Sequence, residues 1–166
     1  RQVLNRWQVI DLLNKDIKIN HKFIRGLHWI KKLEGKEILY LIKDSKSNEI
    51  LCERLYINKK DRKILNEYNF IKSHLEQNKE KYKYFSASNW TAFIEDNNLD
   101  PETIKLLISE SILFWRELFR WLFIYRFIKS SKNGQILKEE GWKEGKNIGD
   151  EIKRLRYINI DNYSKH

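Results

Sequence analysis

Turn-forming residues are scarce in this chain, and their scarcity constrains the fold more than any other feature. The 166 residues include one proline and six glycines, whereas an all-β chain needs a turn about every 8–12 residues. Six tryptophans, eight tyrosines and eight phenylalanines supply more apolar surface than a disordered basic tail would carry. We therefore predict an all-α protein, a compact array of about seven to nine helices without a sizeable sheet.

Hydrophobic residues recur at helical spacing along most of the chain. This spacing predicts helices over residues 2–14 and 21–33. Residues 37–52 fit either a short helix or a strand. Asn58, followed by Asp61, has the arrangement of an N-cap with an acid in the first turn, so we expect a longer helix to begin there.

The most apolar helix is predicted to begin at Asp100-Pro101, where a carboxylate cap precedes a proline at the first helical position. From there to about Lys129 apolar residues occur on all sides, which is typical of a helix at the centre of a core. We expect a break near residues 109–111, because the whole stretch is long for one helix. Ser88 is predicted to cap a short helix upstream.

The last part of the chain differs in composition from the rest. Asn133-Gly134 interrupts the pattern, and three more glycines follow at intervals of four, at Gly141, Gly145 and Gly149. We therefore predict a helical region over residues 1–130, with its buried helix near 101–129. A basic, glycine-punctuated tail subdomain follows over residues 131–166.

The net charge of +10 is concentrated at the two ends of the chain. Residues 1–36 carry +6 and residues 120–166 carry +5, while residues 37–119 carry −1. An excess of this kind favours a polyanionic partner or an acidic membrane surface. Four charged residues interrupt the most apolar stretch, residues 112–128, so we predict no membrane-spanning helix.

The sequence predicts no catalytic centre, metal site or bound cofactor in this chain. Metal-assisted nucleotide transfer needs paired carboxylates, and the nearest spacing, Asp100-Pro-Glu102, fits a helix cap better. The four histidines are scattered. The one cysteine, Cys52, is predicted to be a small buried hydrophobe. A single cysteine fits a reducing compartment, so we expect the cytoplasm.

RNA binding has better support, because the free amides at the start of a helix favour a phosphate. The segment Gly145-Lys-Asn-Ile-Gly149 would let a sugar–phosphate backbone approach closely. The alternative is that Gly145 only separates two helices and Gly149 only allows close packing. The candidate RNA-binding residues are Lys143, Gly145, Lys146, Gly149, Lys153, Arg154 and Arg156, with Arg25, Lys31 and Lys32 on the predicted second helix.

Several of these segments resemble a known family. Residues 133–137, 141–149 and 152–156 resemble the carboxy-terminal signature of bacterial tRNA nucleotidyltransferases (CCA-adding enzymes) and the related poly(A) polymerases. Upstream, residues 51–61 are similar to the body segment of that family. The resemblance implies an all-helical neck, body and tail that hold tRNA beside a catalytic head, which uses magnesium and a nucleoside triphosphate.

The head's Gly-Ser turn and paired aspartates are absent from this sequence. The resemblance therefore implies an RNA-binding, and above all tRNA-binding, domain whose partners are RNA and the head of the parent protein. CCA addition and polyadenylation both stay open as the parent activity, and whether the chain itself belongs to an enzyme stays open too.

The chain has no methionine, so we expect a piece of a longer protein, with a separate headless paralogue as the alternative. A different class of function also fits the sequence. A helical protein-interaction or regulatory module with no nucleic-acid role could carry basic ends for solubility alone.

Overall fold

A computed structural model describes residues 37–44, 48–54, 56–110 and 113–166. These residues form nine α-helices and one short 3-10 helix and contain no strand, which confirms the predicted all-α class. The helices predicted over residues 2–14 and 21–33 lie outside the described residues. The α-helices are α1 (Glu37–Ile42), α2 (Asn48–Arg54), α3 (Lys59–Gln77), α4 (Lys79–Tyr82), α5 (Ala87–Asp96), α6 (Pro101–Ser109), α7 (Trp115–Phe123), α8 (Gly134–Glu139) and α9 (Lys146–Ser164).

The two ends of the ambiguous stretch at 37–52 are helical, since α1 covers its start and α2 its end. Leu39 and Ile42 of α1 are buried in the main core. Cys52 of α2 is buried as well, as predicted, and its burial raises the pKa of the thiol.

The start of α3 confirms the predicted cap. The side chain of Asn58 accepts a hydrogen bond from the amide of Asp61, which satisfies one of the free donors of the first turn. The helix buries one set of apolar residues, Ile64, Leu65, Tyr68, Ile71 and Leu75.

The cap of α5 differs from the prediction. Ser86, two residues before the predicted cap, accepts from the amide of Asn89. Ser88 lies inside the first turn, where its amide and hydroxyl both donate to Asp161 of α9. The prediction was wrong because either serine has the right residue type, and the tertiary contact with Asp161 selects between them.

Helix α6 lies at the centre of the core, whereas α7 buries one face, with Leu118, Trp121 and Leu122, and exposes Arg116 and Arg120. Asp100 caps α6 by accepting from the amide of Glu102, and Pro101 occupies the first turn, as predicted. The predicted break is present, since α6 ends at Ser109 and α7 begins at Trp115. Helix α6 packs on α3 and α7, and Ile104, Leu107 and other side chains along it are almost fully buried.

The carboxy-terminal helices pack on this core. Asn133 caps α8, and α9 contacts both α8 and α5. Ile160 of α9 is fully buried among residues of the main core. The division of the chain at residue 130 stays a prediction.

No helix within the described ranges is both long enough and apolar enough to cross a membrane.

Candidate nucleic-acid interface

The turn between α8 and α9 has a backbone that glycine makes possible. Helix α8 ends with two hydrogen bonds, from the amide of Gly141 to Lys138 O and from the amide of Trp142 to Leu137 O. This pairing is a Schellman motif, whose left-handed position is Gly141 with a φ of 96°. At the start of α9, Gly145 has φ 129° and ψ −159°, a region that side-chain-bearing residues rarely adopt. The backbone therefore explains these two glycines.

Gly149 has no such explanation. It lies inside α9 with ordinary helical geometry, where glycine is less stable than alanine by about 1 kcal/mol. A Cβ built on Gly149 would meet no atom within 4 Å. The alternative that Gly149 allows close packing within the chain therefore has no support among the described residues.

The first turn of α9 is left without a cap. Gly145 offers no side-chain acceptor to it. No acidic residue lies in the turn either. Lys146 occupies the first helical position, where a cation is unfavourable for the helix dipole. The amides of this turn and the ammonium group of Lys146 therefore favour an anion from outside the described structure.

Two of the predicted bases lie at this turn, and a third lies about two turns further along α9. Lys143 and Lys146 are exposed, and neither has an ion-pair partner among the residues that the structure describes. Lys146, Gly149 and Lys153 share one face of α9, because they are separated by three and four positions. Lys153 is also exposed, but its ammonium group lies 2.9 Å from Asp96 Oδ1. That hydrogen bond raises the pKa of Lys153.

The two arginines of α9 are engaged within the protein. Arg154 forms two hydrogen bonds with Glu151, at 2.8 and 2.6 Å, and remains on the surface. Arg156 forms two hydrogen bonds with Glu95 and a third with Ile128 O, and only 19% of its side chain is exposed. The structure thus gives Arg156 a role in holding helices together.

The remaining predicted bases, Arg25, Lys31 and Lys32, lie outside the described residues. Their place in an interface with α9 stays a prediction.

Carboxylates and histidines do not gather into a site in the described part of the chain. No group of three or more histidine, cysteine, aspartate or glutamate residues there could hold a metal ion. The neighbouring acids Glu95 and Asp96 have different partners, Arg156 and Lys153. His74 donates to or accepts from the hydroxyl of Tyr82 at 2.6 Å and stacks on Phe93, which is a packing role.

Sequence reasoning missed a cleft of about 600 Å³ beside α3. Lys60, Lys63, Trp121 and Arg126 are among the residues that line it. The spacing of three between the two lysines places them on one face of a helix. Nothing in the sequence, however, indicated that Arg126, 63 residues further along, faces the same space.

Comparisons with protein-family models, curated proteins and solved structures gave no match for this chain.

Proposed function

We propose that this chain is an RNA-binding helical domain, with tRNA as the expected ligand, and that it serves a nucleotidyltransferase whose catalytic head is not part of this sequence. The sequence resemblance supplies the parent activity, which would use magnesium and a nucleoside triphosphate in the head. The proposal for this chain concerns the holding of RNA by the start of α9.

The observation that supports the proposal most is the presence of a glycine at position 149, inside α9. A helix-weakening glycine lies there although its backbone has no positive φ and no side chain of the described residues packs against the position. No described residue lies within 4 Å of the position that a Cβ would take, so the backbone of a ligand could approach the helix there, which a side chain would keep further away. Lys146 and Lys153 flank the open point on the same face.

The contacts would be with phosphate and ribose groups. Helices cannot read base edges in the deep, narrow major groove of A-form RNA, so recognition would depend on shape and charge. The first-turn amides of α9 and Lys146 would contact phosphates, and Lys143 would add a charge nearby. Lys153 and Arg154 keep exposed ammonium and guanidinium groups that can contact phosphate and their carboxylates together. We leave Arg156 out of the interface because its donors are used within the protein.

The direct test is a titration of tRNA into the protein at several salt concentrations. The logarithm of the binding constant should fall linearly with the logarithm of the salt concentration, since each contacted phosphate releases counterions. Lys146→Glu should weaken binding by about tenfold and reduce the salt slope by about one.

Lys165→Glu is the matched control for this test, because Lys165 is an exposed lysine at the far end of the same helix. It makes the same change in net charge and should alter binding much less. If both variants lose the same affinity for tRNA, the binding depends on the net charge of the protein and not on a specific site at Lys146. No binding of tRNA at low salt would contradict the proposal as a whole.

A second candidate function, a protein-binding module, is favoured by exposed aromatic side chains. Tyr84 is 78% exposed, Phe70 69% and Phe127 64%, whereas aromatic residues of a monomer are mostly buried. These side chains belong to elements other than α9: Tyr84 follows α4, Phe70 lies on α3 and Phe127 ends the 3-10 helix (Tyr125–Phe127). Salt-insensitive association that depends on them, with no binding of RNA, would favour this candidate.

A further inference from the structure

The cleft beside α3 has both polar and apolar walls. The first turns of α3 contribute Lys60 and Lys63, and the segment that enters α6 contributes Leu99 and Pro101. Its volume of about 600 Å³ lies within the range of small-molecule sites, roughly 300–1,000 Å³. None of its lining residues belongs to α8 or α9, so the cleft is separate from the interface proposed above.

The carboxylates of the cleft already have donors from the chain. Glu67 accepts from the amide of Asp100 at 2.9 Å and from the hydroxyl of Thr103 at 2.7 Å. Glu95 accepts from Arg156 and from the indole of Trp121. Asp100 caps α6. These acids therefore act in the framework that shapes the cleft.

The basic side chains that line the cleft are not held by acids in the described part of the chain. Lys60 and Lys63 are exposed, and within the described part of the protein neither is paired with an acid. Arg126 lies over the rings of Trp121 and Phe127, with its guanidinium carbon 5.7 and 4.7 Å from their centroids. Its Nε is buried and has no acceptor among the described residues.

A buried donor without an acceptor costs about 1–3 kcal/mol, and because the Nε is enclosed, a ligand oxygen would satisfy it only after a shift of the Arg126 side chain. The contacts with the two rings place the guanidinium beside the cleft. Three cations and three acids line the cleft. One of the acids, Glu95, is neutralised by Arg156 from outside the lining. The three cations therefore exceed the two remaining acids, Glu67 and Asp100, by one charge.

We propose that this cleft binds a phosphate group, with Arg126 donating to its oxygens and Lys60 and Lys63 neutralising its charge. Phosphate fits better than a single carboxylate, because it offers acceptors in several directions to donors that come from two separate elements. The source of the phosphate is either a free mononucleotide or inorganic phosphate, or a phosphodiester of bound RNA.

The test uses NMR of the protein labelled with nitrogen-15, in which the Nε–H of Arg126 gives its own signal. Titration with inorganic phosphate at constant ionic strength should shift that signal in a saturable way. The double variant Lys60→Gln/Lys63→Gln should weaken the apparent affinity by about tenfold or more, since two charge-assisted contacts are lost. Both lysines are exposed, so the variant should remain folded, which thermal unfolding checks.

The double variant Lys59→Gln/Lys79→Gln is the charge-matched control. Its two lysines are exposed and do not line the cleft, and it should keep the affinity within about twofold of the wild type, a change of less than half a kcal/mol. No saturable shift of the Arg126 signal, or equal losses in the two double variants, would overturn the proposal.

The same signal separates the two sources of phosphate. If the ligand is an RNA phosphodiester, tRNA shifts the Arg126 signal and inorganic phosphate competes with it. If the ligand is free, adenosine monophosphate shifts the signal and tRNA leaves it unchanged. Either result supports a phosphate site. Because tRNA binding at α9 is measured separately with Lys146→Glu, failure of the cleft and failure of the RNA proposal are distinguishable.

Discussion

The guanidinium of Arg156 holds the carboxylate of Glu95 with two hydrogen bonds, 2.6 and 2.9 Å long, and so fastens α9 to the end of α5. The same side chain donates from Nε to Ile128 O at 2.8 Å. The hydrogen bonds to Glu95 raise the pKa of Arg156 further above its ordinary value. A base that sequence reasoning placed in an RNA interface thus joins two helices and the segment that follows α7.

We predict that Arg156→Ala lowers the free energy of unfolding by about 2 kcal/mol, because it removes charge-assisted hydrogen bonds from a mostly buried site and leaves Glu95 without its ionic partner. Urea denaturation measures the change. Lys153→Ala is the comparison, since it removes an exposed pair one turn earlier and should cost less than about 1 kcal/mol. Equal costs would contradict the structural role of Arg156.

At the other end of the same helix pair, Asp161 acts as a cap for α5. Its two oxygens accept from the amide and the hydroxyl of Ser88, at 2.9 and 2.7 Å. We predict that Asp161→Ala lowers stability by about 1 kcal/mol, the usual effect of losing an N-cap acceptor. Asp161→Asn should restore most of it, since the amide oxygen can still accept. Identical losses in both variants would point to charge and not to the hydrogen bonds.

Features of the fold that depend on neighbouring residues could be predicted from the sequence better than features that depend on tertiary contacts. Asn58 and Asp100 cap helices as predicted, because capping needs only a short polar side chain and the next few amides. Asn133, predicted only as a break, also caps a helix. Ser88 was mistaken for a cap since the deciding partner, Asp161, is 73 residues away.

At the candidate site, too, local features could be predicted from the sequence and partners distant in sequence could not. The glycine turn before α9 was visible in the sequence, because Gly141 and Gly145 adopt a backbone that other residues rarely do. The partner of Arg156 was not visible, since Glu95 reaches it only once α5 and α9 pack together. The orphaned Nε of Arg126 was equally hidden, because burial of a single atom is set by the whole fold.

The ionisation of Asp44 makes the stability of the protein depend on pH. Burial raises the pKa of this carboxyl, but the charge and hydrogen bond of Lys43, the hydroxyl of Tyr68 and the charge of Lys72 together hold it below its ordinary value of 3.8. A carboxyl with a lowered pKa in the folded state stabilises the protein at neutral pH, and that contribution is lost as the pH falls through the folded pKa.

We therefore predict that Asp44→Asn is less stable than the wild type at pH 7 and that the difference shrinks below about pH 4, near the ordinary pKa of a free aspartate. Denaturant unfolding at pH 7 and at pH 3 measures both differences. Asp150→Asn, which changes an exposed aspartate without an ion-pair partner in the described ranges, should show almost no difference at either pH. A difference for Asp44→Asn that is the same at both pH values would contradict the account.

Gly145 is the comparison for Gly149, because the backbone at Gly145 requires glycine and the backbone at Gly149 does not. Its φ of 129° is strained for any residue with a side chain, so Gly145→Ala should lower the free energy of unfolding by about 1–3 kcal/mol. Thermal or denaturant unfolding measures the loss. An unchanged stability would mean that the start of α9 adopts a different backbone from the one described.

The most direct test of the central claim is Gly149→Ala, measured for stability and for tRNA binding in the same preparation. Alanine should stabilise α9 by about 0.5–1 kcal/mol, because glycine is the weaker helix former and the added Cβ would meet no neighbouring side chain among the described residues. If RNA approaches the helix at this point, the same Cβ should weaken tRNA binding by at least about fivefold, or roughly 1 kcal/mol. A more stable protein that binds tRNA less tightly is the predicted result, and a more stable protein that binds tRNA as tightly as the wild type would contradict the account.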